Sequence, residues 1–159
     1  MAHLNAAARD LIASGRLGHM VTVNADGSPQ VSIVWVGIDG DDLVTAHLDP
    51  RQRKLVNLAR DPRVVVSFEG TRRNRIGMQE YLVVRGEATL TSGGAPELLH
   101  DLAQTHVGPG TPFPPMPDPP PGVVVRVRVT RVSGLGPWLE DDPGAEADPG
   151  AEADPGATG

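Results

Sequence analysis

Two tight turns limit what this chain can become. Ala25-Asp26-Gly27-Ser28 and Asp39-Gly40-Asp41-Asp42 each stand between Val- and Ile-rich runs. Asp-Gly between two such runs is a strong short-range hairpin signal, because glycine takes the positive φ that the turn requires. The runs on either side, Leu17 to Asn24, Pro29 to Ile38 and Leu43 to His47, are therefore expected to be antiparallel strands. Further strand-like runs follow at Arg63 to Glu69, Glu80 to Thr91 and Val123 to Val132. The last alternates Val with Arg126, Arg128 and Thr130, one face buried and one wet. Gly86, inside the fifth run, marks a bulge or a close approach. Helical spacing occurs in three short stretches. The first carries Leu4, Ala7, Ala8, Leu11 and Ile12 and ends at Gly15; the second runs from Arg51 to Arg60 and is stopped by Asp61-Pro62; the third runs from Ala95 to His106, with Pro96 suited to its first turn. Gly70 to Gly77, with Arg72, Arg73 and Arg75, is expected to be a basic loop. Residues 107–122 hold eight prolines and three glycines and form an extended crossing segment. Six strands joined mainly by hairpins, with short flanking helices, imply a mainly β fold: an antiparallel barrel. The strand-helix-strand order at 43–69 would also suit the start of a parallel sheet, but the two hairpin turns argue against it.

Charge divides the chain in two. Residues 140–159 carry seven acids and no base, within a repeated Asp-Pro-Gly-Ala-Glu-Ala that lacks large apolar residues, and this tail is expected to be disordered. Residues 1–139, the expected folded domain, hold 13 acids against 14 Lys and Arg. That balance lacks the basic excess of a nucleic-acid binder. Aromatic residues make up 3% of the chain, so the core must be aliphatic. The chain has no cysteine, which excludes disulfides and thiolate metal sites. The histidines show no paired spacing of a metal site, and none is expected. No apolar run reaches the roughly 18 residues that cross a bilayer. The first residues lack a charged segment followed by an apolar one. The cytoplasm is the expected location.

The chain's one lysine, Lys54, lies in Arg51-Gln52-Arg53-Lys54, between the third strand and the second helix, with Arg60 and the Asn57 amide nearby. Free backbone N–H groups at a helix start point toward an anion, and cations beside them add charge and forked hydrogen bonds. Cations there are unfavourable unless an anion arrives. Arg51, Gln52, Arg53 and Lys54 are thus candidates for binding a small phosphorylated molecule; the alternative is a solvated helix face. Asn57 is as well suited to holding a turn.

Gly27-Ser28-Pro29-Gln30, Val34-Trp35-Val36-Gly37, Asp39-Gly40-Asp41 and Arg53-Lys54-x-x-Asn57-Leu58-x-Arg60-Asp61-Pro62-Arg63-Val64 form a pattern. It resembles the flavin/deazaflavin oxidoreductase branch of the pyridoxamine 5′-phosphate oxidase-like split β-barrels. Within that branch it is most similar to proteins using the deazaflavin coenzyme F420. Gly134-Leu135-Gly136-Pro137-Trp138 also resembles some members. The resemblance implies a six-stranded split barrel of the FMN-binding type, paired as a homodimer with the cofactor between subunits. It implies that Arg53 and Lys54 hold the cofactor phosphate, that Ser32, Val34 and Trp35 pass along the ring, and that Thr45 lies near the phosphate or ribityl chain. Tyr81 falls where flavin-binding relatives often have a ring-contacting glutamine, and Trp138 would approach from the partner chain. Two positions depart from the pattern. Gln52 stands where relatives often have Ser or Gly, and Gln30, Val31 and Trp35 replace the Arg and Lys contacts of FMN-dependent pyridoxamine oxidases. The second departure favours F420 over FMN.

What the resemblance implies is an F420-dependent oxidoreductase transferring a hydride between coenzyme and an electron-poor small molecule, with the protein supplying orientation and electrostatics. No residue identifies itself as a catalytic acid. The alternatives are an FMN-dependent oxidase or reductase and a non-catalytic binder of F420, flavin or haem. For Arg72, Arg73 and Arg75 the sharper reading is contact with the oligoglutamate tail of F420, the plainer one solvated charge.

Overall fold

A computed structural model describes residues 2–140 and the dipeptide Glu146–Ala147. In chain order the elements are α1 (Ala6–Ala13), β1 (Gly18–Val23), β2 (Pro29–Val34), β3 (Gly37–Asp39), β4 (Asp42–His47), α2 (Arg53–Arg60), β5 (Arg63–Arg73), β6 (Gln79–Ser92), α3 (Ala95–His106), β7 (Val123–Leu135), a 3-10 turn at Pro137–Leu139, and β8 (Glu146–Ala147). The sheet order is β2-β1-β5-β6-β7-β4-β3, with every pair antiparallel; β8 alone runs parallel, beside β7 at Ser133 and Gly134. The rest of the acidic tail, for which disorder was expected, lies outside the described residues.

The two end strands of that order, β2 and β3, are consecutive in the chain and separated only by Trp35 and Val36. The sheet must therefore curl until its two edges meet at this corner. That is a split barrel, as expected, but with seven strands in the main order rather than six. The expected single strand from Pro29 to Ile38 breaks in two: β2 pairs with β1 up to Val34, and β3 pairs with β4 from Gly37. All of Val34, Trp35 and Val36 favour strands, so periodicity carried no mark of the change of partner. The basic stretch after Gly70 is also partly strand. β5 continues to Arg73, and the turn proper lies at Asn74–Met78, where the Asn74 side chain accepts from the N–H groups of Ile76 and Met78 at 3.1 and 2.9 Å. The bulge expected at Gly86 is present as a slip of register between Arg85 and Gly86.

The interior is aliphatic apart from Phe68 and Trp138. Val66, Leu82 and Val84 of the central strands meet Val125, Val127 and Val132 of β7, and Ile12 of α1 packs into the same core. α1 begins at Asn5, whose side chain accepts from the Ala8 N–H at 3.0 Å, a conventional N-cap. α2 buries Leu55 and Leu58 and is tied to the barrel by a polar clasp. The Nδ2 of Asn57, fully buried, donates to Thr22 Oγ1 at 3.0 Å and to Asn24 Oδ1 at 2.9 Å, and Thr22 donates to Gln30 Oε1 at 2.8 Å. Asn57 is therefore structural: it fixes the helix that carries Lys54 against β1.

Candidate functional site

β4 is buried along almost its whole length because the barrel lies on one side and α3 on the other. Its last residues, Thr45 and His47, are thereby held inside the protein. The chain leaves β4 through Leu48, Asp49 and Pro50 and enters α2 at Gln52, the N-cap. The Gln52 side chain makes no cap hydrogen bond, and the first turn of α2 contains no acid. The Leu55 N–H donates to the Gln52 carbonyl at 2.9 Å, while no side chain caps the N–H groups of Arg53 and Lys54, which are left for an anion.

Beside this junction lies a cleft of about 340 Å³ lined by Ile33, Val34, Trp35, Ala46, His47, Leu48, Gln52, Lys54, Leu99 and Phe113. Its two halves differ. One is polar: His47, Gln52 and Lys54. The other is apolar and partly aromatic. The Trp35 ring is stacked on His106 (centroids 5.5 Å apart, planes 8° apart) and meets Phe113 at 5.0 Å and 56°. α3 supplies Leu99 and the proline-rich segment supplies Phe113, so elements some fifty residues beyond Lys54 build the second wall.

Electrostatically the polar half is set for an anion. Burial lowers the Lys54 ammonium below its ordinary value, and among the described residues Lys54 forms no ion pair. His47, 8% exposed, is lowered to about 3 by burial first and by the charge of Lys54 second. It is therefore neutral at physiological pH, with Nε2 3.4 Å from Thr45 Oγ1. Gln52 Oε1 is buried with no hydrogen-bond partner. A half-buried cation and an amide oxygen that have no partner among the described residues, beside the uncapped N–H groups of Arg53 and Lys54, fit an anionic ester with further polar groups. The Trp35–Phe113 wall fits a planar ring.

Of the residues singled out by sequence, Val34, Trp35, Gln52 and Lys54 line the cleft together. Thr45 stands behind it, against His47. Ser32 lies outside the lining; its hydroxyl accepts from Gln30 Nε2 at 2.8 Å. Arg51 is turned away in an ion pair with Asp49 at 3.0 Å, and Arg53 is exposed outside the lining. Tyr81 lies at the other end of β6, paired with Leu135. Trp138 and Arg72 line a separate cavity of about 230 Å³ beside α1. The sequence reading did not place Ile33, Ala46, Leu48, Leu99 or Phe113 at the site. The one available signal was Phe113, one of two phenylalanines, isolated among prolines.

A neutral buried imidazole has a consequence for stability. The unfolded chain binds a proton at His47 below about pH 6.5, while the folded chain does not until about pH 3. Its contribution is thus present above the unfolded value and is lost as pH falls. Unfolding free energy is expected to decline by about 1.4 kcal/mol per pH unit between roughly pH 6 and 4 on this account. His106, also lowered by burial, adds to the slope. Urea titrations across that range should show His47→Gln with a slope shallower by about one proton; an unchanged slope would mean that His47 is charged in the fold.

The sequence profile described as pyridoxamine 5′-phosphate oxidase matches residues 4–136. No curated protein matches the chain. Among solved structures, an F420 reductase is similar at 28% identity and a TM-score of 0.64, covering 78% of this chain and 94% of its own. A conserved hypothetical protein from Mycobacterium tuberculosis is similar at 26% identity and a TM-score of 0.63, covering 80% and 81%. General stress protein 26 from Bacillus anthracis, at 18% identity and a TM-score of 0.57 over 79% of this chain and 88% of its own, shares the fold. Among the described residues no helix is long and apolar enough to cross a membrane.

Proposed function

We propose that this chain, which belongs to the pyridoxamine 5′-phosphate oxidase family of flavin- and deazaflavin-binding oxidoreductases, uses coenzyme F420 to reduce an electron-poor small molecule in the cytoplasm. The observation that carries this is Lys54: a half-buried cation with no counter-ion among the described residues, across a cleft from a Trp35–Phe113 wall. The F420 reductase among similar structures supports the choice of coenzyme. When bound, F420 supplies a hydride donor or acceptor carbon; the chemistry resides in its ring.

The chain's own residues bind and orient. Lys54 and the α2 N–H groups hold the ester end. Gln52 and neutral His47 offer uncharged polar contacts beside it. Val34, Trp35, Leu99 and Phe113 give the ring a dry surface, which restricts its tilt and keeps water from the reacting face. A solvent proton suffices to complete the product.

The working unit in this proposal is a homodimer. Ile33, which lines the cleft, is 61% exposed, and Val31 beside it on β2 is 59% exposed. Their face continues across the sheet through Val21 and Val65, paired in one row. An apolar sheet face at the rim of the cleft suits a second copy, which would close the site.

Equilibrium titration of the purified protein with F420 and with FMN tests the coenzyme. The expected result is F420 binding at about 1 μM or tighter and FMN at least about tenfold weaker. Tight FMN binding with no F420 binding would replace F420 by FMN. Oxidation of reduced F420 by a panel of enones, imines and conjugated tetrapyrroles tests the reaction, and binding without turnover on any acceptor would make the protein a carrier.

A further inference from the structure

Among the described residues the cleft is lined by one ionised side chain. Lys54 is the only Lys, Arg, Asp or Glu among its lining residues, and its other polar groups, His47 and Gln52, are uncharged. The other cations of the segment are placed elsewhere. Arg51 is bound by Asp49 through Nε and Nη2, at 3.0 and 3.1 Å, and its backbone N–H donates to the same carboxylate at 2.9 Å. Arg53 is exposed, so solvent and salt screen its charge from the cleft. All four consecutive residues are cationic or polar in the sequence, yet among the described residues one full positive charge lines the cleft.

We propose that this cleft selects a singly charged phosphodiester over a doubly charged phosphomonoester. The inference rests on Lys54 being the anchor of the ester, as argued above, and goes on to the charge state of what it anchors. The physical basis is the cost of desolvation. Lys54 is half buried, so an anion docked on it leaves water in part, and the penalty for removing an ion from water rises with the square of its charge. One lysine and the partial charge of a helix start offset a single negative charge. They leave the second charge of a monoester without a partner, beside a buried amide oxygen that cannot donate to it. A diester brings the same oxygens with one charge. In this reading Gln52 and Asp49 are specificity-determining: Gln52 by being neutral at the N-cap, and Asp49 by holding Arg51 away.

The test uses one ring with two esters. The ribityl deazaflavin 5′-phosphate and its methyl phosphodiester differ by one methyl group and one charge, and each is titrated into the full-length protein by fluorescence. The native protein is expected to bind the diester at least about tenfold more tightly. Gln52→Lys, which adds a cation at the N-cap, should bring the two affinities to about equal. Asp49→Asn, at a half-exposed position where the amide oxygen can still accept from the Arg51 N–H, should narrow the ratio by releasing the Arg51 guanidinium. Equal affinities in the native protein, or tighter binding of the monoester, would overturn the charge selection while leaving the deazaflavin reading intact. Binding of neither ester would overturn both. A ratio that neither substitution moves would remove Gln52 and Asp49 as its source.

Discussion

Lys54→Ala is expected to weaken F420 binding by roughly 30- to 1000-fold, about 2–4 kcal/mol, without unfolding the protein. The size follows from burial. An exposed lysine near a phosphate contributes little, because water and salt replace it. Lys54 is partly desolvated and lacks a carboxylate partner among the described residues, so its loss leaves a docked anion in a half-dry site with no countercharge. The fold should not suffer, since the polar clasp of Asn57 and the buried Leu55 and Leu58 hold α2 independently of Lys54. Arg53→Ala, at an exposed position outside the lining, should cost far less, on the order of threefold. Fluorescence titration of the three proteins side by side checks the contrast; equal losses for Lys54 and Arg53 would mean that the anion sits on the outer face of the helix.

Gly122→Val is expected to remove most of the fold's stability, roughly 3–5 kcal/mol. Gly122 has φ +62°, and a Cβ there would press on the His47 carbonyl oxygen, 2.6 Å from Ala95 Cβ and 3.0 Å from Leu48 Cα. A β-branched side chain would meet both the left-handed backbone and this wall of main chain, neither of which can yield. The damage would fall on the cleft as well, because His47 and Leu48 line it. Gly40 is the control. Its φ is +64° and nothing lies within 4 Å of a Cβ added there. Gly40→Ala should cost only the conformational penalty, about 1–2 kcal/mol. Urea unfolding midpoints of native, Gly40→Ala, Gly122→Ala and Gly122→Val proteins separate the two effects, and equal losses at the two glycines on alanine substitution would show that crowding at Gly122 is absent.

The hairpins were legible because their turn residues have a local cause: Asp-Gly at 26–27 and at 39–40 sets the backbone without help from the rest of the molecule. α3 was legible for the same reason, with a proline at its start and apolar residues on one face. The break at Trp35–Val36 was not, since its cause is tertiary. One continuous Val- and Ile-rich run changes partner strand where the sheet closes, and each residue favours either side equally. The same division holds at the site. Lys54 stood out as the one lysine in a chain of arginines, beside a helix start. Which of its neighbours share the cleft could not be read locally. Arg51 is removed by Asp49, two residues away, and Arg53 faces out with the turn of the helix. The apolar wall depends on Leu99 and Phe113, brought in by α3 and the proline-rich segment, whose sequences carry no mark of the ligand they face. Trp138 and Tyr81 entered as candidates by resemblance, and neither lines the Lys54 cleft; Trp138, 3% exposed, is packed into the core of its own protomer and is not available to a partner's site.

Diffraction from crystals grown with F420 tests the central claim most directly, through the position of one phosphorus atom. The expected result is a phosphate oxygen about 2.7–3.2 Å from Lys54 Nζ, with the deazaflavin ring against Trp35 and a second protomer over Ile33. A bound coenzyme whose phosphate lies away from Lys54, with the β4–α2 cleft filled only by water, would contradict it.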